Sequence, residues 1–247
     1  MNFLLRKIMS VYVRRVQNSA KPFGGVHTWD FSQCVEPVNS IIGTDKVASD
    51  GICEMLSAKW IDEHAHERHL STWLCTDGKN IDASKIRMLM QVFIIGMTMR
   101  PSKMVEDLSV RNSPVHRGEQ NQDAATQNFL LSRGIIRRTG NPGMPWGTGT
   151  SAAEKIKHAL GRDLVSSRGG TGSYRIIGIY GESGSGHCLA CYTGLKDIAF
   201  FDPNFGEFWF EDKSKFPRWL AEAFFPLSHY TGELGKRYEL FDYALKA

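Results

Sequence analysis

The chain has 247 residues, of which 42% are hydrophobic and 23% are charged, a composition typical of one soluble globular domain. It contains no run of about 18 apolar residues, so the sequence predicts no transmembrane helix. The net charge of +4 comes from residues 1–29, which carry five basic and no acidic side chains and leave 25 basic against 26 acidic in the rest. Because nucleic-acid binding needs clustered cations, we expect no nucleic-acid partner. Five cysteines do not form a disulfide framework, and we expect reduced thiols.

The basic leader, residues 1–29, begins with the apolar periodicity of an amphipathic helix. No small-residue cleavage site follows closely, so it is not a secretory signal peptide. Three interpretations stay open: a secretion address, a helix that contacts a membrane surface through residues 1–20, and a helix packed on the body. Residues 30–247 are predicted to form the main domain. The predicted apolar face of the helix consists of Leu4, Leu5, Ile8, Met9, Val11, Tyr12 and Val16.

The body changes its apolar periodicity along the chain. Helical patterns run from about residue 50 to 132, a loop rich in glycine and proline occupies 139–151, and a short helix follows it. Beyond Ser166 the period becomes two, which predicts strands, with one helix in "FPRWLAEAFF" between them. Helices first and an antiparallel sheet afterwards predict an α+β fold. The predicted strands are "SYRIIGIY", "HCLACYT", "DIAFFDP", "GEFWFED" and "RYELFDYAL".

The glycine-rich stretch 181–186 has the glycine spacing of a nucleotide-binding loop. Such a loop needs a lysine and a hydroxyl residue after its second glycine, but these positions hold His187 and Cys188. It also needs a following helix whose N-terminus binds the phosphates, whereas strand-like residues follow here. We therefore predict a hairpin turn that places His187 at the start of the next strand.

Cys53 is the best candidate for a nucleophile that His187 could activate. It follows Ser49-Asp50-Gly51, a composition typical of a helix start, and precedes a helical run. Thiols at helix N-termini beside an imidazolium ionise more readily than free cysteine. Asp202 lies 15 residues beyond His187, and two antiparallel strands joined by a short turn would bring it to Nδ1 of the histidine. This order of Cys, His and Asp is that of papain-like thiol chemistry.

Three segments, "DGICEMLSAKWI", "GHCLACY" and "FFDPNFGEFWF", together resemble the catalytic blocks of the YopT/AvrPphB family of bacterial effector cysteine proteases. The resemblance covers about residues 50–245. It implies a papain-like fold, in which an N-terminal helical half carries the cysteine helix and packs on a C-terminal antiparallel sheet that carries the histidine and the aspartate. It implies that Cys53 is the nucleophile, His187 the general base and acid, and Asp202 the orienting carboxylate, with no cofactor or metal.

The same resemblance implies a virulence function. Bacteria secrete members of this family into eukaryotic cells, where known members cut prenylated Rho-type GTPases or a plant protein kinase. The sequence therefore predicts a thiol protease that acts in the host cytosol on a host protein of the small GTPase or kinase class. We expect the protein to be a monomer.

Two other functions stay open on the same fold. A deamidase or acyltransferase would use the thiol on a side-chain amide, and a binding module would have no catalytic activity. Residues 47–50 contain no Asn or Gln to complete an oxyanion hole, so the Cys53 N–H needs a second donor from Ser49 or elsewhere.

A metal site is the weaker interpretation of the remaining histidines and cysteines. His64, His66 and His69 do not have the H-E-x-x-H register of zinc proteases. Cys188 and Cys191 have the spacing of a zinc knuckle but no second pair, and on a strand they would face opposite sides.

Overall fold

The computed structural model describes residues 11–45, 51–77, 79–98, 117–138, 147–150, 153–166, 172–181 and 185–246. No helix within these ranges is long and apolar enough to span a bilayer. The helices are α1 (11–17), α2 (Val38–Ile42), α3 (Ile52–Ala65), α4 (Leu70–Leu74), α5 (Ala83–Thr98), α6 (Arg117–Ser132), α7 (Ala153–Val165), α8 (216–227) and α9 (Tyr230–Glu233). The strands are β1 (Gly25–Trp29), β2 (Ile135–Arg137), β3 (Gly147–Thr150), β4 (Ser173–Tyr180), β5 (Gly186–Thr193), β6 (Ile198–Asp202), β7 (Gly206–Phe210) and β8 (Arg237–Leu245).

The strands form one antiparallel sheet. Its order is β1-β7-β6-β5-β4-β8-β2, and β3 also pairs with β8. Strands β4 and β5 lie in the middle of this order and are buried along nearly their whole length. A strand covered on both faces shows a continuous apolar run rather than an alternation, which explains "SYRIIGIY".

Two apolar cores lie on opposite faces of the sheet. The first, between the sheet and α2 to α6, contains Trp60, Phe93 and Phe201. The second, between the sheet and α1, α7, α8 and α9, contains Phe200 and Trp219. Phe200 and Phe201 are neighbours on β6 and face different cores, because successive strand residues point to opposite faces. The predicted α+β fold is confirmed, and a second helical layer, partly from the N-terminal segment, covers the other face.

Residues 11–29 of the predicted leader pack against the rest of the protein. Val13 and Val16 are buried in the second core, and β1 pairs with β7 in the sheet. Val11, which the sequence placed on the apolar face, is instead 53% exposed. Apart from Val11, the apolar side chains of α1 therefore contact the body rather than facing outward, while residues 1–10 lie outside the described ranges. A secretion or targeting function of the leader stays a prediction.

The connection between β4 and β5 is the hairpin that the sequence predicted. Tyr180 pairs with Gly186, and His187 is the second residue of β5. Residues 182–184, in the middle of the turn, lie outside the described ranges. Strand β3 falls inside the predicted loop 139–151; its alternating glycines are typical of a loop, so the sequence did not predict a strand there. Residues 139–146 lie outside the described ranges.

Candidate active site

Cys53 is the second residue of α3, and its side chain is partly buried. The helix can start here because Gly51 has no side chain: a Cβ at this position would lie 1.9 Å from the ring of Phe93 in α5. The first four N–H groups of an α-helix have no partner within the helix, so the helix does not use the Cys53 N–H itself. That group can donate to an oxyanion. Ser49, the second donor considered above, lies outside the described residues.

His187 and Asp202 lie on neighbouring antiparallel strands. Ala190 pairs with Phe201, so the next positions set Asp202 opposite Leu189, on the same sheet face as His187. The distance between His187 Nε2 and Asp202 Oδ1 is 2.8 Å, and both side chains are buried. The strand arrangement predicted for this pair is thus present. The predicted contact through Nδ1 is wrong, because Nε2 is the outer ring nitrogen and reaches across the strand spacing of about 4.8 Å.

Asp202 and Cys53 both affect the pKa of His187. Burial disfavours a charge on His187, but the Asp202 carboxylate and hydrogen bonds to Asp202 and to Cys53 outweigh it and raise the histidine pKa to about 10. Cys188, the next residue, is on the other face of β5, and burial raises its pKa well above the usual value. Burial also raises the pKa of Cys191, to about 11. Cys53 is therefore the thiol that meets the imidazole.

Asp202 is fully buried, and both of its carboxylate oxygens accept hydrogen bonds. Oδ1 accepts from His187 and from the backbone N–H of Asn204 at 2.7 Å, and Oδ2 accepts from the Tyr230 hydroxyl at 3.0 Å. The turn that follows ends at Gly206, whose φ of +89° lies in the region that favours glycine. Asn204 and Gly206 lie in the segment "FFDPNFGEFWF", which stands out in the sequence. Tyr230 does not stand out there, because its contact with Asp202 is tertiary and has no local pattern.

The histidines that suggested a metal site point to different partners. Nδ1 of His64 lies 3.0 Å from the Tyr174 hydroxyl, and Nδ1 of His66 contacts the Asp62 carbonyl at 2.7 Å. Across the part of the chain that the structure describes, no three His, Cys, Asp or Glu side chains come together as a metal would require.

The chain is similar to several known proteins. The sequence profile of peptidase family C58, described as Yersinia/Haemophilus virulence surface antigen, matches residues 17–246. The cysteine protease yopT1 of Yersinia enterocolitica is 28% identical over 248 residues, 98% of this chain and 72% of that protein. YopT of Yersinia pseudotuberculosis is 28% identical over 253 residues, with the same coverage. The protein adenylyltransferase and cysteine protease IbpA of Histophilus somni is 25% identical over 232 residues, 90% of this chain but 5% of that protein.

A solved structure supports the fold. The crystal structure of the Pseudomonas avirulence protein AvrPphB matches with a TM-score of 0.54 and 18% identity, and the match covers 81% of this chain and 95% of that chain. The family profile spans nearly the whole chain and includes all three candidate residues. The resemblance noted in the sequence is confirmed: the chain belongs to the C58 peptidases and is a papain-like cysteine protease of the YopT type.

Proposed function

We propose that the protein is a bacterial effector protease that cleaves a host protein through a triad of Cys53, His187 and Asp202. The observation that carries the proposal is the buried pair of His187 and Asp202 at 2.8 Å; the nearby Cys53 thiol also raises the pKa of the same imidazole. A nucleophile beside a base that an orienting group holds is the arrangement that covalent amide hydrolysis needs.

Each residue has a defined part in the proposed reaction. His187 takes the thiol proton, and the Cys53 thiolate attacks the peptide carbonyl. The Cys53 N–H donates to the oxyanion, while Asp202 orients the ring and stabilises the imidazolium. The imidazolium then gives its proton to the leaving amine. Neutral His187 next activates a water molecule, which hydrolyses the thioester and frees the thiol.

The substrate class rests on the family resemblance alone. We propose that bacteria secrete the protein into a host cell, and that it acts there as a monomer on a small GTPase or a protein kinase. The names of the Yersinia relatives give the protease activity but no substrate.

The test is cleavage of purified candidate substrates, a prenylated Rho-type GTPase and a host protein kinase, followed by intact-mass measurement. Cys53→Ala and His187→Ala should each lower kcat by about 10⁶-fold, because nucleophile and base act as a unit. Cys75→Ala, which removes a buried thiol outside the proposed triad, should retain activity. Full activity in either triad variant would disprove the assignment, and a deamidated or acylated product in place of two fragments would change the reaction class.

Alkylation of the thiols tests the nucleophile without a substrate. Iodoacetamide at neutral pH should modify Cys53 before Cys188 and Cys191, because the latter two are buried and their pKa values are raised by burial. Peptide mapping identifies the first modified site. Earlier modification of Cys188 or Cys191 would show that His187 has been paired with the wrong thiol.

A further inference from the structure

We infer that Tyr230 is a positioning residue of this site: its hydroxyl donates a hydrogen bond to Oδ2 of Asp202 and thereby fixes the orientation of His187. The inference rests on the proposed triad and adds a fourth side chain to it. Tyr230 is the first residue of the short helix α9, 28 residues beyond Asp202.

The hydrogen bonds of Tyr230 give its hydroxyl proton one direction. The hydroxyl oxygen accepts from the side-chain amide nitrogen of Asn204 at 2.8 Å and lies 3.0 Å from Asp202 Oδ2. A hydroxyl has a single proton, and the Asn204 amide group is itself a donor, so the proton is directed to the carboxylate. Burial, followed by the charge of Asp202, raises the pKa of Tyr230 well above its usual value. The hydroxyl therefore stays a donor throughout the working pH range of the protein.

The ring of Tyr230 is fixed independently of its hydroxyl. It packs against three phenylalanines, with centroid distances of 5.9 Å to Phe205, 5.9 Å to Phe224 and 6.2 Å to Phe225. It also lies 5.4 Å from the imidazole of His187. One buried side chain thus contacts both the base and, through its hydroxyl, the carboxylate that orients the base.

Helix α1 supports the segment that carries Tyr230. The Tyr12 hydroxyl donates to the carbonyl of Ser228 at 2.6 Å, and its ring stacks on His229 at 5.5 Å. These are the two residues directly before Tyr230. The N-terminal segment is therefore connected to the candidate site, because Tyr12 contacts the two residues that precede Tyr230.

Asn204, the second partner of Tyr230, is held in turn. Its side-chain oxygen accepts hydrogen bonds from Gln33 Nε2 at 2.8 Å and from Cys34 Sγ at 3.0 Å. Its nitrogen is consequently oriented toward the Tyr230 hydroxyl. A hydroxyl held between a fixed donor and a carboxylate has little freedom to reorient.

The first experiment replaces Tyr230 with Phe, which keeps the packed ring and removes only the hydroxyl. We expect about a tenfold loss of kcat, the size typical of one hydrogen bond to a charged group, with KM unchanged because Tyr230 does not need to contact substrate. Tyr238→Phe is the matched control: it removes another tyrosine hydroxyl that donates to a carboxylate, that of Asp163, and should leave kcat unchanged. An unchanged kcat in Tyr230→Phe would overturn the inference.

A double-mutant cycle separates positioning from a general structural effect. In the Asp202→Ala background, Tyr230→Phe should cause no further loss of kcat, because Tyr230 acts through the carboxylate. An equal loss in both backgrounds would overturn the inference. If Asp202→Ala lowers kcat and Tyr230→Phe does not, the triad stands and only the inference fails. If Asp202→Ala alone is silent, the triad fails and the inference with it.

Proton NMR of the wild type and the Phe variant gives a readout that does not depend on the folding of Asp202→Ala. The His187 Nε2–H that faces Asp202 should give a downfield resonance. This resonance should move or broaden in Tyr230→Phe and stay in place in Tyr238→Phe. An unmoved resonance in Tyr230→Phe would contradict a positioning role.

Discussion

The two halves of the candidate site are held by different kinds of interaction. The Cys53 half is placed by packing, since the start of α3 fits against the Phe93 ring only because Gly51 lacks a side chain. In the half containing His187 and Asp202 both side chains are buried. The Asp202 carboxylate accepts hydrogen bonds from two side chains and one backbone N–H. In the proposed mechanism the nucleophile must meet a substrate, whereas the base and the carboxylate must keep one orientation.

The two halves should therefore respond to different kinds of substitution. The packed half should respond to added volume, because close-packed interiors tolerate little overpacking. The hydrogen-bonded half should respond to the loss of one charge or one donor, because buried polar groups are costly to leave unpaired. Substitutions of each kind can confirm or break the comparison.

Among the substitutions that test this comparison, the largest effect should follow from removing the Asp202 carboxylate. Asp202→Ala is expected to lower kcat by roughly 10⁴-fold, less than the loss of the nucleophile. The charge of Asp202 helps to raise the pKa of His187 to about 10, so its loss should lower that pKa and deprotonate the imidazolium at lower pH. The alkaline limb of the pH profile of kcat should therefore shift to lower pH.

The pH profile also shows how this prediction could fail. Asp212→Ala, which removes an exposed carboxylate, should leave the alkaline limb in place. An unmoved limb in Asp202→Ala would mean that another group sets the pKa of His187, and the two halves would then not differ in the way proposed.

A smaller effect, on stability, should come from the packed half. In Gly51→Ala the new methyl would lie 1.9 Å from the Phe93 ring, so the helix start or the ring must shift. We expect a loss of about 1–3 kcal/mol in the free energy of unfolding, measured by urea denaturation. Gly232→Ala is the control, since no heavy atom lies within 4 Å of its added Cβ. The double variant Gly51→Ala/Phe93→Leu should recover part of the loss, and strict additivity would rule out the clash as its cause.

The fold could be predicted wherever one sequence period dominates. Strands β5 and β6 are short apolar runs on either side of a short turn, so the contact between His187 and Asp202 followed from strand pairing. Strand β1 was missed because it is a short edge strand, and its alternation is weak beside the helical pattern before it. Helix α1 was recognised from its apolar periodicity, but this periodicity does not say whether the apolar face meets lipid or protein.

The details of the site depend on tertiary contacts that no local pattern contains. The choice of Nε2 depends on how the imidazole of His187 lies between Asp202 and Cys53, and Tyr230 reaches the carboxylate from a four-residue helix. The three segments that resemble catalytic blocks could be found because each combines chemically distinctive residues at short spacing. A positioning residue that acts from another element has no such constraint on its sequence neighbourhood.

The last predicted effect is on the pH dependence of stability. The pKa of His187 is raised from 6.5 to about 10 in the folded protein, so its charge stabilises the fold fully below about pH 6.5, and the contribution is lost as the pH rises toward 10. Burial lowers the pKa of His27 and His64, which gives the opposite slope near pH 6 and masks the effect in the wild type. The difference in unfolding free energy between wild type and His187→Ala removes this background. Measured by urea denaturation from pH 6 to 10, this difference should shrink steadily as the pH rises. A difference that stays constant over the range would mean that Asp202 does not stabilise the imidazolium. The hydrogen-bonded half would then be held by packing, as the Cys53 half is.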